Sequence, residues 1–100
     1  MALEWMVTGN LGKDPERTKS TARCTMCCNV PVNGAPDTEP VWLDIETSDI
    51  GMATRLLDMG KGDGVMVRGM VRVNYYEHNG KRRKGWVIDL NTLLLTHRAA

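Results

Sequence analysis

Apolar and polar residues alternate along the second half of the chain, most regularly between Val65 and Tyr76. The odd positions hold Val65, Val67, Gly69, Val71 and Val73, and the even positions hold Met66, Arg68, Met70, Arg72, Asn74 and Tyr76. Successive side chains of a strand point to opposite faces, so this period of two predicts a long strand with one core face and one outer face. Asn79-Gly80 is a strong signal for a tight hairpin turn, so the apolar run from Trp86 to Leu90 is predicted to return beside the first strand.

Shorter apolar or alternating stretches predict three further strands upstream, over residues 3–8, 24–32 and 41–47. Residues 16–22 are polar and predict an irregular segment or a weak strand. After the third strand, Ser48 or Asp49 can cap a short helix, because either side chain can accept a hydrogen bond from a first-turn N–H. Gly60 is placed to end that helix.

The predicted order is three strands, one short helix and two strands. An all-β domain with one short helix in this position is typical of the five-stranded oligonucleotide-binding barrel, the OB-fold. One hundred residues suffice for a single domain over positions 1–100, in which residues 96–100 are expected to form a short frayed tail.

Composition restricts the function classes. The net charge is +1, so affinity for nucleic acid would have to come from local clusters of basic residues. No apolar run is long enough to cross a membrane, and no signal peptide is visible. Three cysteines, an odd number, argue against a secreted disulfide framework and favour a reducing cytoplasm.

Metal, redox and enzyme chemistry are disfavoured by residue placement. Cys24 and Cys27 would face opposite sides of a strand, and His78 and His97 are distant in sequence, so a zinc site is a minor alternative. Cys24 and Cys28 are expected in the core. No nucleophile–base–acid set appears, so we expect neither an enzyme nor a cofactor.

Aromatic and basic residues on predicted outer faces form a candidate surface for single-stranded nucleic acid, because rings stack on bases and cations contact phosphates. The candidate residues are Trp42, Arg68, Arg72, Asn74 and Tyr76, the hairpin tip Lys81, Arg82, Arg83 and Lys84, and Lys13 and Arg17 beside the first loop. The alternative is an ordinary solvated sheet face. Trp5 and Trp86 are assigned to packing, and Tyr75, which should point away from Tyr76, is assigned a structural role.

Several motifs resemble bacterial single-stranded DNA-binding proteins. The run from Gly9 to Glu16 resembles a signature near the start of that family, and the run from Lys61 to Gly69 resembles its turn into a long fourth strand. Trp42 and Tyr76 fall where the family has aromatic residues. The resemblance implies an OB-fold homo-oligomer, usually a tetramer, that binds single-stranded DNA without strong sequence preference in replication, recombination or repair. RNA is the alternative ligand.

The chain also departs from that family. Ser48 replaces a frequent aromatic residue, and Asp44 and Glu46 place carboxylates on the proposed binding face, where Arg68 or Arg72 would have to neutralise them across strands. The family's acidic-tipped tail, which recruits partners, is expected to be absent, as in plasmid, phage or mobile-element variants.

Two expectations concern partners. Residues 3–8 form a short apolar strand that is predicted to pair with its own copy in a homodimer or homotetramer, with Trp5 buried across the contact. The alternative function is an assembly module similar to primosomal replication protein B, with single-strand binding secondary.

Overall fold

The computed structural model describes residues 2–100. Its elements in chain order are β1 (Glu4–Leu11), β2 (Glu16–Thr18), β3 (Thr21–Pro31), β4 (Thr38–Thr47), α1 (Ile50–Leu57), β5 (Gly64–His78) and β6 (Lys81–His97). In this part of the chain, no helix is both long and apolar enough to cross a bilayer.

Five of the strands close into a barrel. They neighbour one another in the order β1, β5, β6, β4, β3, and β1 then pairs with β3 at Asn10 and Leu11. The β4–β6 pairing is parallel, and the other pairings are antiparallel. The short strand β2 is added to β3 outside this ring, where the sequence had predicted an irregular segment or a weak strand. The predicted OB-fold is therefore confirmed.

The alternating residues of the barrel strands fill its interior. The largest fully buried side chains include Leu11, Met26, Ile45, Leu56 and Ile88, which come from four strands and the helix. The side chains at the alternate positions of each strand therefore point out of the barrel. They include the polar and aromatic residues discussed below.

The helix α1 packs against the barrel by one short face. Asp49 is its N-cap, and the Asp49 carboxylate accepts from the Met52 N–H at 2.8 Å. Ala53 and Leu56 are buried, whereas Ile50 is 84% exposed. The helix ends at Leu57, before the predicted stop at Gly60.

The β5–β6 hairpin extends beyond the other strands of the barrel. Asn79 and Gly80 form the predicted tight turn, and both have positive φ angles, of 54° and 75°. Residues 72–84 are all exposed. Val73, which has the core parity, is 43% exposed, because the hairpin projects beyond the other strands at this point.

Hydrogen bonds tie the first loop to the turn before β5. Leu11 donates its N–H to the Asp63 carbonyl at 2.9 Å, and Gly62 donates its N–H to the Leu11 carbonyl at 2.8 Å. The Asp14 carboxylate accepts from the Lys61 N–H at 2.8 Å. The two motifs that carried the family resemblance therefore hold each other in place.

The chain end differs from the expected frayed tail over residues 96–100. Strand β6 continues to His97. Beyond it, the Ala99 N–H donates to the Asp63 carboxylate at 2.8 Å, and Arg98 lies 3.5 Å from a carboxylate oxygen of Asp58. The end of the chain is thus held against the turn before β5.

Candidate nucleic-acid interface

A groove of about 460 Å³ lies between the outer faces of β3 and β4 and the base of the β5–β6 hairpin. It contains four of the residues predicted for binding: Lys13, Trp42, Asn74 and Tyr76. The remaining lining residues are Arg23, Cys24, Thr25, Asp44, Glu46, Gly85, Trp86 and Val87. The groove is open to solvent and brings Trp42 of β4 together with Tyr76 and Trp86 of the hairpin.

Trp42 lies against the first loop. It has the outward parity of β4 and is 57% exposed. A Cβ atom added at Gly12 would lie 2.5 Å from Cζ3 of the indole, so the ring occupies the space that a side chain at Gly12 would need. The Gly12 N–H donates to the Thr25 carbonyl at 2.8 Å, which holds the loop in this position.

Tyr76 also lies against a glycine. Its ring is half exposed, and a Cβ atom added at Gly85 would lie 3.3 Å from Cε1 of the phenol. Gly85 is the strand partner of Asn74, so the amide and the ring share one face of the hairpin. A partly exposed ring that rests on a glycine can accept a base on its open side.

Arg68 and Arg72 do not line the groove. Arg68 pairs with Glu4 at 2.9 Å on the outer face of β1 and β5. Arg72 pairs with Asp89 at 2.6 Å and also with Glu46, and the hydrogen bond that Arg72 donates to Asp89 is the main reason that the pKa of Arg72 is raised. Both guanidinium groups are therefore engaged in ion pairs on the exposed outer face of the barrel, and the phosphate contacts expected of them stay a prediction.

The carboxylates of the groove are largely partnered. Arg72 neutralises Glu46, as the cross-strand argument required. Asp44 accepts from the Thr25 hydroxyl at 3.1 Å. Glu16, beside the groove, contacts Arg23 at 3.1 Å, and that hydrogen bond is the main cause of the lowered pKa of the Glu16 carboxyl.

The charge inside the groove is consequently balanced. Lys13 and Arg23 bring two positive charges, and Asp44 and Glu46 bring two negative charges. Attraction of phosphates has to come from elsewhere, and the basic hairpin tip next to the groove is the nearest source.

The four basic residues at that tip are divided between two faces. Lys81 is the strand partner of His78 and Arg83 of Tyr76, so these two share the groove side of the hairpin. Arg82 is the partner of Glu77 and Lys84 of Tyr75, so these two lie on the opposite side. The sequence analysis had treated the four as one basic patch.

Comparisons with known proteins find similar proteins by structure alone. No family model and no curated protein matches the sequence. Among solved structures, a small single-stranded DNA-binding protein from Streptomyces coelicolor matches with a TM-score of 0.79 at 17% identity, over 94% of each chain.

Two further solved structures agree with this match. The mitochondrial single-stranded DNA-binding protein Rim1 of S. cerevisiae matches with a TM-score of 0.78 at 13% identity, over 99% of each chain. The Plasmodium falciparum SSB in complex with ssDNA matches with a TM-score of 0.71 at 16% identity, over 96% of this chain and 94% of that one. The chain has the fold of these single-stranded DNA-binding proteins.

Within this fold, several groove residues were not anticipated. Arg23 and Thr25 reach it from β3, and Arg23 could have been found from its outward parity beside Cys24. Trp86 contacts Trp5, with ring centroids 5.6 Å apart, as the packing assignment expected, and it also lines the groove. Arg17 lies on β2, is exposed, and is not part of the groove.

The cysteines are placed mainly for packing. Cys24 is buried, and this burial raises the pKa of its thiol. Cys28 packs against the core and donates to the Val41 carbonyl at 3.7 Å. Residues 2–100 contain no cluster of three or more histidine, cysteine or acidic side chains that could hold a metal ion.

Proposed function

We propose that this protein binds single-stranded DNA without strong sequence preference and protects it during replication, recombination or repair. The observation that carries the proposal is the groove in which Trp42 and Tyr76, each against a glycine, stand on opposite sides. Stacking on such rings tolerates every base, because every base has a π-face. The likeness in fold to a protein solved in complex with ssDNA supports the same ligand.

The test is removal of each ring. We expect Trp42→Ala and Tyr76→Ala each to weaken binding to a labelled oligo-dT by ~1–3 kcal/mol, the contribution of one stacked base. Fluorescence anisotropy of the labelled oligonucleotide is the suitable measurement, since it does not depend on the tryptophan that is removed. Both rings are exposed, so thermal unfolding should change little. Unchanged affinity in both variants would refute the stacking role.

We further propose that the protein acts as a homo-oligomer through β1. This strand pairs with β5 from Glu4 to Asn10 but with β3 only at Asn10 and Leu11, which leaves its other edge from Glu4 to Thr8 without a strand partner in the described chain. Met6 is 70% exposed on its outer face. Trp5 packs against Trp86, so Met6 replaces Trp5 as the residue proposed to cross the contact.

A second candidate function is an assembly module with secondary single-strand binding. The balanced charge of the groove favours it, because a groove without net positive charge attracts phosphates weakly. Titration with DNA and RNA oligomers at two salt concentrations separates the candidates. Binding at physiological salt supports the first function, and binding restricted to low salt supports the second.

We propose the reducing cytoplasm or nucleoid of a bacterium as the location. The three cysteines are free, and Cys24 is buried without a disulfide partner, which suits a reducing compartment.

A further inference from the structure

The β5–β6 hairpin has a second exposed face, of which only Trp86, the strand partner of Val73, lines the groove. Tyr75 and its strand partner Lys84 lie on this back face, together with Arg82, the partner of Glu77. Tyr75 was expected to be structural, and it is 51% exposed, so half of its surface is open to a ligand. Within the described chain no further strand pairs with this part of the hairpin.

The two faces of the hairpin repeat one composition. The groove side carries Tyr76 with Lys81 and Arg83, and the back face carries Tyr75 with Arg82 and Lys84. Each face therefore combines one aromatic ring with two cations, the combination that binds unstacked bases and their phosphates.

The side chains of the back face are already arranged around the ring. The guanidinium carbon of Arg82 lies 4.0 Å from the centroid of the Tyr75 ring. Stacking on the ring restricts the rotation of the arginine, so less conformational entropy is lost when it contacts a phosphate. Val73 is 43% exposed next to this pair and adds apolar surface for a base.

We propose that this back face is a second contact surface for single-stranded nucleic acid, so that a strand leaving the groove at Tyr76 continues around the hairpin to Tyr75. The proposal rests on the proposed function. Charge favours a nucleic acid as the occupant, since Arg82 and Lys84 outnumber Glu77, the one acidic side chain on this face of the described hairpin. A path that continues onto the back face would increase the number of nucleotides that each subunit covers.

The test compares oligo-dT of increasing length. A short oligomer fills the groove alone, and a long one also reaches the back face. Tyr75→Ser should leave the affinity for the short oligomer unchanged and weaken that for the long one by about 5-fold to 150-fold, the range of one lost stacking contact. Glu77→Gln, on the same face, should strengthen binding of the long oligomer. Tyr75→Phe keeps the ring and should behave as the unaltered protein.

Three outcomes would overturn the proposal. In the first, Tyr75→Ser binds every length of oligo-dT with unchanged affinity while Tyr76→Ala weakens binding. The back face is then not a contact surface, and the proposed function still stands. Equal weakening for short and long oligomers would show that Tyr75 only holds the hairpin together. A lower mass of Tyr75→Ser than of the unaltered protein in sedimentation would show that the back face contacts a second copy of the chain. If the Trp42 and Tyr76 variants also bind normally, the proposed function itself fails.

Discussion

At the scale of single residues, two glycines determine how the aromatic side chains of the groove are presented. Gly12 makes room for the indole of Trp42, and Gly85 makes room for the phenol of Tyr76. Neither glycine has a positive φ angle. Their function is therefore to leave space for the rings, since the backbone at these positions suits other residues too.

Gly12→Ala should consequently weaken DNA binding without much loss of stability. The new methyl group would lie 2.5 Å from Cζ3 of Trp42, so the ring has to move away from its position in the groove. We expect a loss of binding free energy of up to ~1–3 kcal/mol, as for a lost stacking contact. Anisotropy with labelled oligo-dT measures it.

Gly51→Ala is a matched control for this variant. Gly51 lies in the exposed first turn of α1, and its added Cβ would meet only the Asp49 carboxylate, at 3.6 Å. Its affinity should equal that of the unaltered protein. Normal binding by Gly12→Ala would show that the position of the indole does not matter.

Asp63 is a buried carboxylate in the turn before β5. It accepts hydrogen bonds from the N–H groups of Ala99 and Gly60, at 2.8 Å and 2.9 Å. These bonds, the one from Ala99 first, lower the pKa of Asp63 from its ordinary value of 3.8. A lowered pKa in the folded state stabilises the fold above the ordinary value, and this contribution is lost as the pH falls through the lowered value.

Asp63→Asn should therefore reduce the free energy of unfolding at pH 7, with a difference from the unaltered protein that shrinks below about pH 4. Urea unfolding at several pH values between 7 and 3 would measure the difference. A difference that stays constant across this range would show that ionisation of Asp63 does not contribute.

At the scale of elements, the hairpin supplies the positive charge that the groove lacks. Lys81, Arg82, Arg83 and Lys84 are all exposed on its tip. Because the two-residue turn sets the register, these side chains alternate between the two faces. One short segment can thus contact phosphates on either side.

Replacement of these four residues by serine should flatten the salt dependence of binding. Each lost phosphate contact reduces the slope of log affinity against log salt by about 0.7 on single strands. Lys19→Ser, in the β2–β3 turn outside the groove, serves as the control and should leave the slope unchanged. An unchanged slope in the fourfold variant would show that the hairpin tip is merely solvated.

At the scale of the whole molecule, a single barrel with a net charge of +1 has limited affinity for a polyanion. Repetition of the groove in an oligomer raises the apparent affinity, because a strand bound to one subunit meets the next at high effective concentration. The free edge of β1 and the exposed Met6 supply a means of association.

Met6→Glu should shift the protein towards a monomer in sedimentation velocity, because a charge buried in an apolar contact is unfavourable. Binding of short oligo-dT should persist, and binding of long oligo-dT should weaken. Ile50→Glu introduces the same charge at an exposed apolar site on α1 and should leave the mass unchanged. An unaltered protein that is monomeric at micromolar concentration, and nevertheless binds oligo-dT tightly, would contradict the assembly proposal.

The sequence by itself determined the elements and their order. The alternation through β5, the Asn79-Gly80 turn and a helix cap at Ser48 or Asp49 all depend on neighbours within a few residues, so they can be read without knowing the fold. The division of the basic tip between two faces was also available, since a two-residue turn sets the register of the strands that it joins.

Only the tertiary structure decided which of the outward-facing residues meet. Arg72 faces outward as predicted and meets Asp89 across its own hairpin, but only the closure of the barrel, which brings β4 beside β6, supplies Glu46 as its second partner. The same closure places Gly12 beneath Trp42. Alternation assigns a side chain to one of two faces, whereas its contacts depend on strands that are distant in sequence and become neighbours only when the sheet closes.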